Sequence, residues 1–332
     1  MTDGTVHSQT FRSLLKSNFR NYSMILMLFI IMAVFAFTTG GVNLNSRNIS
    51  NIITQNSFVM LLSVGMLLVI VTGNIDLSAG SFCALTGAVS AMLYNAGLGV
   101  GLTMFVVILF GVAIGAFQGS WIAYLKVPAF IVTLAGALMF RGITYIITNV
   151  TPISLRDDNF KQISTGMANI PGLEFGKVYG TALLVGAVLF LIYVAFEVAG
   201  RQRKIRNKFE VLSVGLFIGK LLVMGVLIGL MAWKLSTYRG MPTVMIVLGV
   251  TIMAFVFITN NTIMGRYIYA VGGNARSAKL SGINSEMVVF VVYCIMGGLC
   301  GLAGMVYTGY MNSALPQAGV NLELDAISAC FI

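Results

Sequence analysis

Between Met24 and Tyr310 the chain is a succession of continuous apolar runs, broken only by short loops that are polar or rich in glycine. Hydrophobic residues make up 58% of it and charged residues 9%, against roughly 45–50% and about 25% in soluble domains. A soluble core cannot hide that excess, so the solvent must be lipid. Backbone amides in hydrocarbon have to pair within a helix or a closed barrel. The runs do not alternate as barrel strands would, and they approach the ~20 residues a spanning helix needs. The fold class is therefore all-α, a polytopic helical membrane protein.

Composition narrows the chemistry. The one histidine, His7, lies in the polar N-terminal tail, which leaves the apolar body without histidine metal sites or a catalytic triad. Cys83, Cys294, Cys300 and Cys330 all sit inside apolar runs without CxxC spacing and read as buried small hydrophobes. No cofactor is expected. The net charge of +10 fits the positive-inside rule rather than a nucleic-acid partner.

Nine spans are expected, at Met24–Thr38, Phe58–Val71, Leu77–Leu93, Gly101–Phe117, Ala129–Ile147, Val178–Val198, Leu212–Trp233, Thr243–Ile258 and Met287–Val306. A tenth begins near Ala326 and is cut off at Ile332, giving about nine to ten transmembrane helices with the last one truncated. Asn45–Gln55 is polar enough to lie along the interface, and Thr151–Lys177 is a long polar loop. The organisation is a cytoplasmic tail over residues 1–23 and a single transmembrane domain over 24–332. With the N-terminus inside, twelve Lys and Arg residues fall in inner loops and six in outer ones, the five between Arg201 and Lys208 weighing most. A re-entrant Phe58–Val71 run would reverse everything after it.

Four features carry functional weight. The first is the polar break from Gly73 to Ser81, where Asn74, Asp76, Ser78 and Ser81 stand between two apolar runs. An aspartate in hydrocarbon costs roughly 2.5–3.5 kcal/mol, so Asp76 should face protein, water or a helix end. Two roles stand open for it: capping the next helix, together with Ser78, or contacting a transported solute. The second is the basic segment Thr259–Glu286. Gly272-Gly273 reads as a turn, Asn274 as an N-cap and Gly282 as a C-terminal stop, with a two-turn helix between. So short a helix needs something to dock on; the alternative is an ordinary inner loop holding positive charge. The third is a pair of small-residue ladders, Gly111, Gly115 and Gly119, and Gly297, Gly301 and Gly304, which permit close helix packing or a sliding surface. The fourth is two intramembrane cations, Arg141 and Lys220, which snorkel to an interface or, for Arg141, meet a buried partner.

These motifs resemble a known family. Gly73–Ser81 is similar to the G-x-I-D-L-S-x-G-S signature of the membrane permease subunit of bacterial monosaccharide ABC importers. Gly265–Ile283 resembles that family's G-R-x-x-Y-A-x-G-G-N-x-x-A-A-x-L-S-G-I segment, with Ser277 where alanine is frequent. Lys126–Leu134 looks like its K-x-P-x-F-I-V-T-L stretch, and Gly319 with Glu323–Ile327 like its G-x-x-x-E-L-D-A-I. Four motifs in order span almost the whole chain. The two spans between Arg201 and Asn261 are similar to the xylose and multiple-sugar branch. Family members continue with a glycine-rich turn and more apolar sequence, so the C-terminus is expected to be incomplete.

The resemblance implies an importer permease of the cytoplasmic membrane. It would work by alternating access with a second permease copy, a cytoplasmic ABC ATPase and an extracytoplasmic sugar-binding protein. The coupling loop would be about 261–286, with Gly272, Gly273, Asn274, Arg276, Ala278, Lys279, Leu280 and Gly282 at the ATPase contact. Leu280 and Ala278 would be its apolar contacts, Arg276 and Lys279 its rim. The residues agree on one negative: no G-x-x-x-x-G-K-[ST] occurs, so ATP must be hydrolysed by a partner. Rival functions are a permease for branched-chain amino acids and an ion-coupled secondary transporter; the latter should carry ionisable residues deep in several spans.

Overall fold

The computed structural model describes residues 8–9, 19–176, 178–207, 209 and 211–332. Arg12, Lys16, Lys177 and Lys208 of the charge count lie outside them. Eleven helices form among the described residues. They are α1 (Phe19–Thr38), α2 (Ser46–Val71), α3 (Ala79–Asn95), α4 (Val100–Ala123), α5 (Ala129–Thr148), α6 (Gly180–Arg206), α7 (Val214–Ser236), α8 (Thr243–Asn261), α9 (Ile263–Leu280), α10 (Ser285–Met311) and α11 (Leu322–Phe331). Strands are confined to two-residue pairs. Seven helices, α2, α4–α8 and α10, are long and apolar enough to cross a membrane. The other two expected spans are α1, with a shorter apolar stretch at Leu26–Thr38, and the 17-residue α3.

Two expectations change. Asn45–Gln55 does not lie apart along an interface: the helix starts at Ser46 and runs 26 residues to Val71. At ~1.5 Å per residue that is about 39 Å, long enough to cross a bilayer, so the Phe58–Val71 run is not a short re-entrant piece. The segment after Thr259 is likewise helical as α9 rather than an open loop.

The chain divides into two compact units. One holds residues 1–52 and 167–241, the other 53–166 and 242–332. In the first, α6 and α7 form a hairpin. The tail meets the turn between them, Ser8–Gln9 pairing in parallel with Val211–Leu212. At the other end, the hydroxyls of Ser46 and Thr237 lie 2.9 Å apart.

The second unit is built around α10, with α4 on one side and α3 on the other. The two glycine ladders face each other across the antiparallel α4 and α10. A methyl group on Gly111 would strike the carbonyl oxygen of Gly297, and one on Gly115 that of Tyr293. On the α3 side, a methyl on Gly304 would lie 2.5 Å from the Cys83 carbonyl oxygen. Thr86 Oγ1 donates to the Cys300 carbonyl at 2.9 Å. Such close approach lets backbones pack directly where lipid supplies no hydrophobic drive. Helix α3 is buried without interruption from Ala79 to Ala88, which is why it needs no polar face.

Within this unit the loops sort into two sets. Tyr124, before α5, packs on Phe290 of α10 at 5.5 Å between ring centroids, and Lys279 in the last turn of α9 pairs with Glu286 at 2.7 Å. At the opposite end, Asn95 donates to the Ser154 carbonyl at 2.8 Å and Ile153–Ser154 pairs with Ser313–Ala314. Lys126, Arg266, Arg276 and Lys279 belong to the first set, matching the inner loops of the charge count. In the second set, Tyr94 donates to Asp157 at 2.5 Å, and that bond holds the Asp157 carboxyl below its usual range.

Candidate functional site

The polar break lies inside the second unit. Helix α2 ends at Val71, Gly73 takes φ 80°, a conformation that favours glycine, and α3 starts at Ala79. Asn74 turns back on its own loop, its amide donating to Thr72 Oγ1 at 3.2 Å. Asp76 and Ser78 turn inward and are 1% and 0% exposed. Asp76 Oδ1 accepts both the Ser78 amide N–H at 2.8 Å and the Ser78 hydroxyl at 2.6 Å. Gln118 Nε2, from the C-terminal part of α4, donates to Ser78 Oγ at 3.0 Å.

The capping role needs correction. Ser78 is the N-cap residue of α3, yet its hydroxyl makes no bond to a helix N–H. Its proton goes to the carboxylate instead. Asp76 satisfies the N–H just outside the helix, where its charge also favours the positive helix end. Gln118 was missed in the sequence; the available signal was a lone amide between Gly115 and Gly119 on an otherwise apolar helix.

Ser81, one turn into α3, meets Arg141 of α5, whose Nη2 donates to Ser81 Oγ at 3.3 Å. Arg141 Nη1 donates to the carbonyls of Pro316, at 3.2 Å, and Ala318. Arg141 therefore has buried partners rather than snorkelling. Its bonds satisfy an irregular strand, residues 312–321, that carries the chain from α10 to α11. Non-helical backbone at membrane depth survives only where protein satisfies it, and a guanidinium with five donors suits that task. The strand is also pinned at Gly319, φ 74°, whose backbone lies against that of Gly80 so closely that a methyl on either would strike the other's carbonyl oxygen. Asp76, Ser78 and Ser81 are thus brought to one buried polar region with Gln118, Arg141 and the 316–319 backbone; Asn74 is not.

Lys220 also departs from snorkelling alone. Its Nζ pairs with Glu197 at 2.6 Å across the α6–α7 hairpin, and both side chains are partly exposed.

Helix α9 carries the second candidate region. The helix runs straight through Gly272 and Gly273 and breaks one residue later, at Asn274 (φ −162°, ψ 100°). The expected glycine turn is therefore corrected to a kink at Asn274. The cause is that Asn274 is the N-cap: its Oδ1 accepts the Ser277 N–H at 2.9 Å. A short helix follows and stops as expected at Gly282, φ 85°, where the Ile283 N–H reaches back to the Ala278 carbonyl at 3.0 Å. Arg276 and Lys279 are exposed, and Leu280 is 85% exposed. Ala278 is 5% exposed and belongs to the core, so it offers no outward apolar contact. A methyl on Gly272 would run into the carbonyl oxygen of Val71, the last residue of α2. The kinked helix therefore meets, backbone to backbone, the end of α2 two residues before the break. No cluster able to hold a metal ion, and no disulfide, is present among the described residues.

A buried polar break inside a multi-pass helical unit, flanked by a short exposed helix, is an arrangement suited to a membrane transport protein. Its sequence places it further: residues 48–332 match the family described as branched-chain amino acid transport system / permease component, and the chain belongs to that permease family. It is a multi-pass protein of the bacterial cytoplasmic (inner) membrane. It is 36% identical to the xylose transport system permease protein XylH of Escherichia coli K12 over 324 residues, 97% of this chain and 80% of that protein. To XylH of Haemophilus influenzae it is 37% identical over 319 residues, 95% of this chain and 82% of that one. To the ribose import permease protein RbsC of Escherichia coli K12 it is 32% identical over 308 residues, 92% and 74%. No solved structure matches the chain.

Proposed function

We propose that this chain is the transmembrane permease subunit of an ATP-driven importer that moves a monosaccharide, xylose or a related pentose or hexose, into the cytoplasm by alternating access. The observation that carries the reading is the 36–37% identity to xylose permeases along 95–97% of the chain. The ribose permease relative supports the same substrate class, and the amino-acid alternative is not favoured by these relatives.

The division of labour follows from the residues. The chain has no phosphate-binding loop, so a cytoplasmic ATPase supplies the energy and docks on the helix Ala275–Leu280. Leu280 is its apolar anchor, Arg276 and Lys279 the rim, and Gly272, Gly273, Asn274 and Gly282 shape the helix. Motion there passes through the Gly272–Val71 contact to the break, and its opening turns Asp76, Ser78 and Ser81, buried in this conformation, toward the pathway as oxygen partners for sugar hydroxyls. A binding protein delivers the sugar outside, and a second permease copy completes the pathway.

Radiolabelled uptake of a panel of pentoses and hexoses, with the cognate ATPase and binding protein, tests the substrate; concentrative uptake of leucine but no sugar would overturn it. Leu280→Asp tests the engine. Loss of an interface anchor can cost over 2 kcal/mol whereas a rim charge costs much less. The variant should insert normally yet shed the ATPase and lose uptake, while Arg276→Ala keeps most of both. Wild-type ATPase retention in Leu280→Asp would refute the docking site.

A further inference from the structure

A cleft of about 410 Å³ opens between α6 and α7, near the turn that joins them. That volume lies within the ~300–1,000 Å³ typical of ligand sites. Its α6 wall is one helical stripe: Tyr193, Glu197, Arg201 and Lys204 recur at spacings of three and four. Its α7 wall is Phe217 and Lys220. Glu197 is committed to Lys220. Arg201 spends one Nη on the Leu212 carbonyl at 2.6 Å and sets its guanidinium 4.9 Å from the centre of the Phe217 ring, which fixes the group and leaves other N–H donors. Lys204 makes no ion pair among the described residues. The described lining therefore keeps two uncompensated positive charges, one of them rigidly held. It lies in the segment that carries the densest positive charge of the chain, which the positive-inside rule assigns to the cytoplasmic leaflet.

We infer that this cleft is a binding site for the phosphate headgroup of an anionic phospholipid of the inner leaflet. The chemistry recognised is a phosphodiester anion. A concave basic pocket between membrane helices on the cytoplasmic side fits such a headgroup. The acyl chains have an apolar surface to follow on α6: Phe196, part of the cleft lining, is 76% exposed, and Leu189, one turn before Tyr193 on the same stripe, is 37% exposed. A soluble phosphate has no use for that surface, which decides between the two sources of the anion. The site concerns lipid, so it stands or falls separately from the transported solute.

The test is lipid retention by the purified, delipidated permease, read by native mass spectrometry with palmitoyl-oleoyl phosphatidylglycerol and, in parallel, the matching phosphatidylcholine. The wild type should retain phosphatidylglycerol preferentially. Arg201→Gln/Lys204→Gln should weaken it by at least about tenfold. Because Arg201 also ties down the Leu212 carbonyl, Lys204→Gln alone is the cleaner variant and should show a smaller loss in the same direction. Arg203→Gln, the same charge change two residues along and outside the cleft lining, should leave retention unchanged. Equal retention of the two lipids, or an equal loss with Arg203→Gln, would overturn the site. Displacement of phosphatidylglycerol by millimolar inorganic phosphate would assign the anion to the soluble pool and overturn the lipid reading.

Discussion

Helices α4 and α10 on one side, and α6 and α7 on the other, are equally apolar by sequence and oppositely used. In the most apolar stretch of α10, 56% of residues are buried within the chain; in α7 none is. Both helices are rich in glycine, yet Gly297 lies against the backbone of α4 whereas Gly219 and Gly229 of α7 have open space around them. Apolar content says that a helix is in the membrane. What decides whether it meets protein or lipid is the register of its small residues against another helix, together with buried polar groups that need partners. The α4–α10 unit has both along its length; the α6–α7 hairpin has fewer, Gly186 against Ala232, Gly225 against Phe190 and the buried Ser236 hydroxyl on the Tyr179 carbonyl, beside the partly exposed Lys220–Glu197 pair.

The strongest way to break this contrast is to add bulk on each side. Gly297→Leu would drive a side chain into the carbonyl of Gly111, and no small side-chain shift can make room. Overpacking of this kind costs about 3 kcal/mol or more, so folded protein should be nearly lost from membranes. Gly229→Leu, the same change in open space, should alter stability by no more than about 0.5 kcal/mol. Thermal unfolding in detergent and membrane yield would read both.

Next in size are the cations. Arg141→Ala removes three charge-assisted hydrogen bonds and strands the carbonyls of Pro316 and Ala318; a loss of about 2–4 kcal/mol is expected. Lys220→Ala breaks an exposed pair and should cost at most about 1 kcal/mol. Comparable losses would mean that the two units are not held differently.

The smallest effect sharpens the account of the break. Asp76→Asn keeps an oxygen that can accept the Ser78 N–H and hydroxyl, and should retain most stability and transport. Asp76→Ala leaves those buried donors without their acceptor and should cost about 1–3 kcal/mol. If Asp76→Asn inserts normally but abolishes uptake, the charge itself takes part in transport.

Much of this was legible in the residues. Nine apolar runs became nine helices, the glycine spacing announced the α4–α10 contact, and Asn274 and Gly282 start and end the short helix as the side chain of one and the backbone freedom of the other dictate. The family resemblance read from four motifs is borne out by the permease-family match over residues 48–332 together with the identity to xylose and ribose permeases. Other features were not legible, for physical reasons. Asn45–Gln55 looks interfacial because its polarity alone cannot tell an interfacial segment from the polar first turns of a spanning helix. Two of the three partners of Arg141 lie 175 and 177 residues away and are backbone carbonyls, which carry no sequence signature. Ala278 and Leu280 are two residues apart and both apolar, so only the docking of α9 onto its own unit reveals that one faces in and the other out.

The central claim is that transport depends on the buried polar region around the break and not on the hairpin. It is tested most directly by sugar uptake in two variants at matched membrane levels, assayed with the ATPase and binding protein. Arg141→Gln, which frees the 312–321 strand, should cut initial uptake by more than about tenfold, since misplacing a transport element by an ångström carries penalties of that order. Val223→Ala/Val226→Ala, on the open face of α7, should stay within about twofold of wild type. Normal uptake in Arg141→Gln, or its collapse in the α7 double variant alone, would contradict the account.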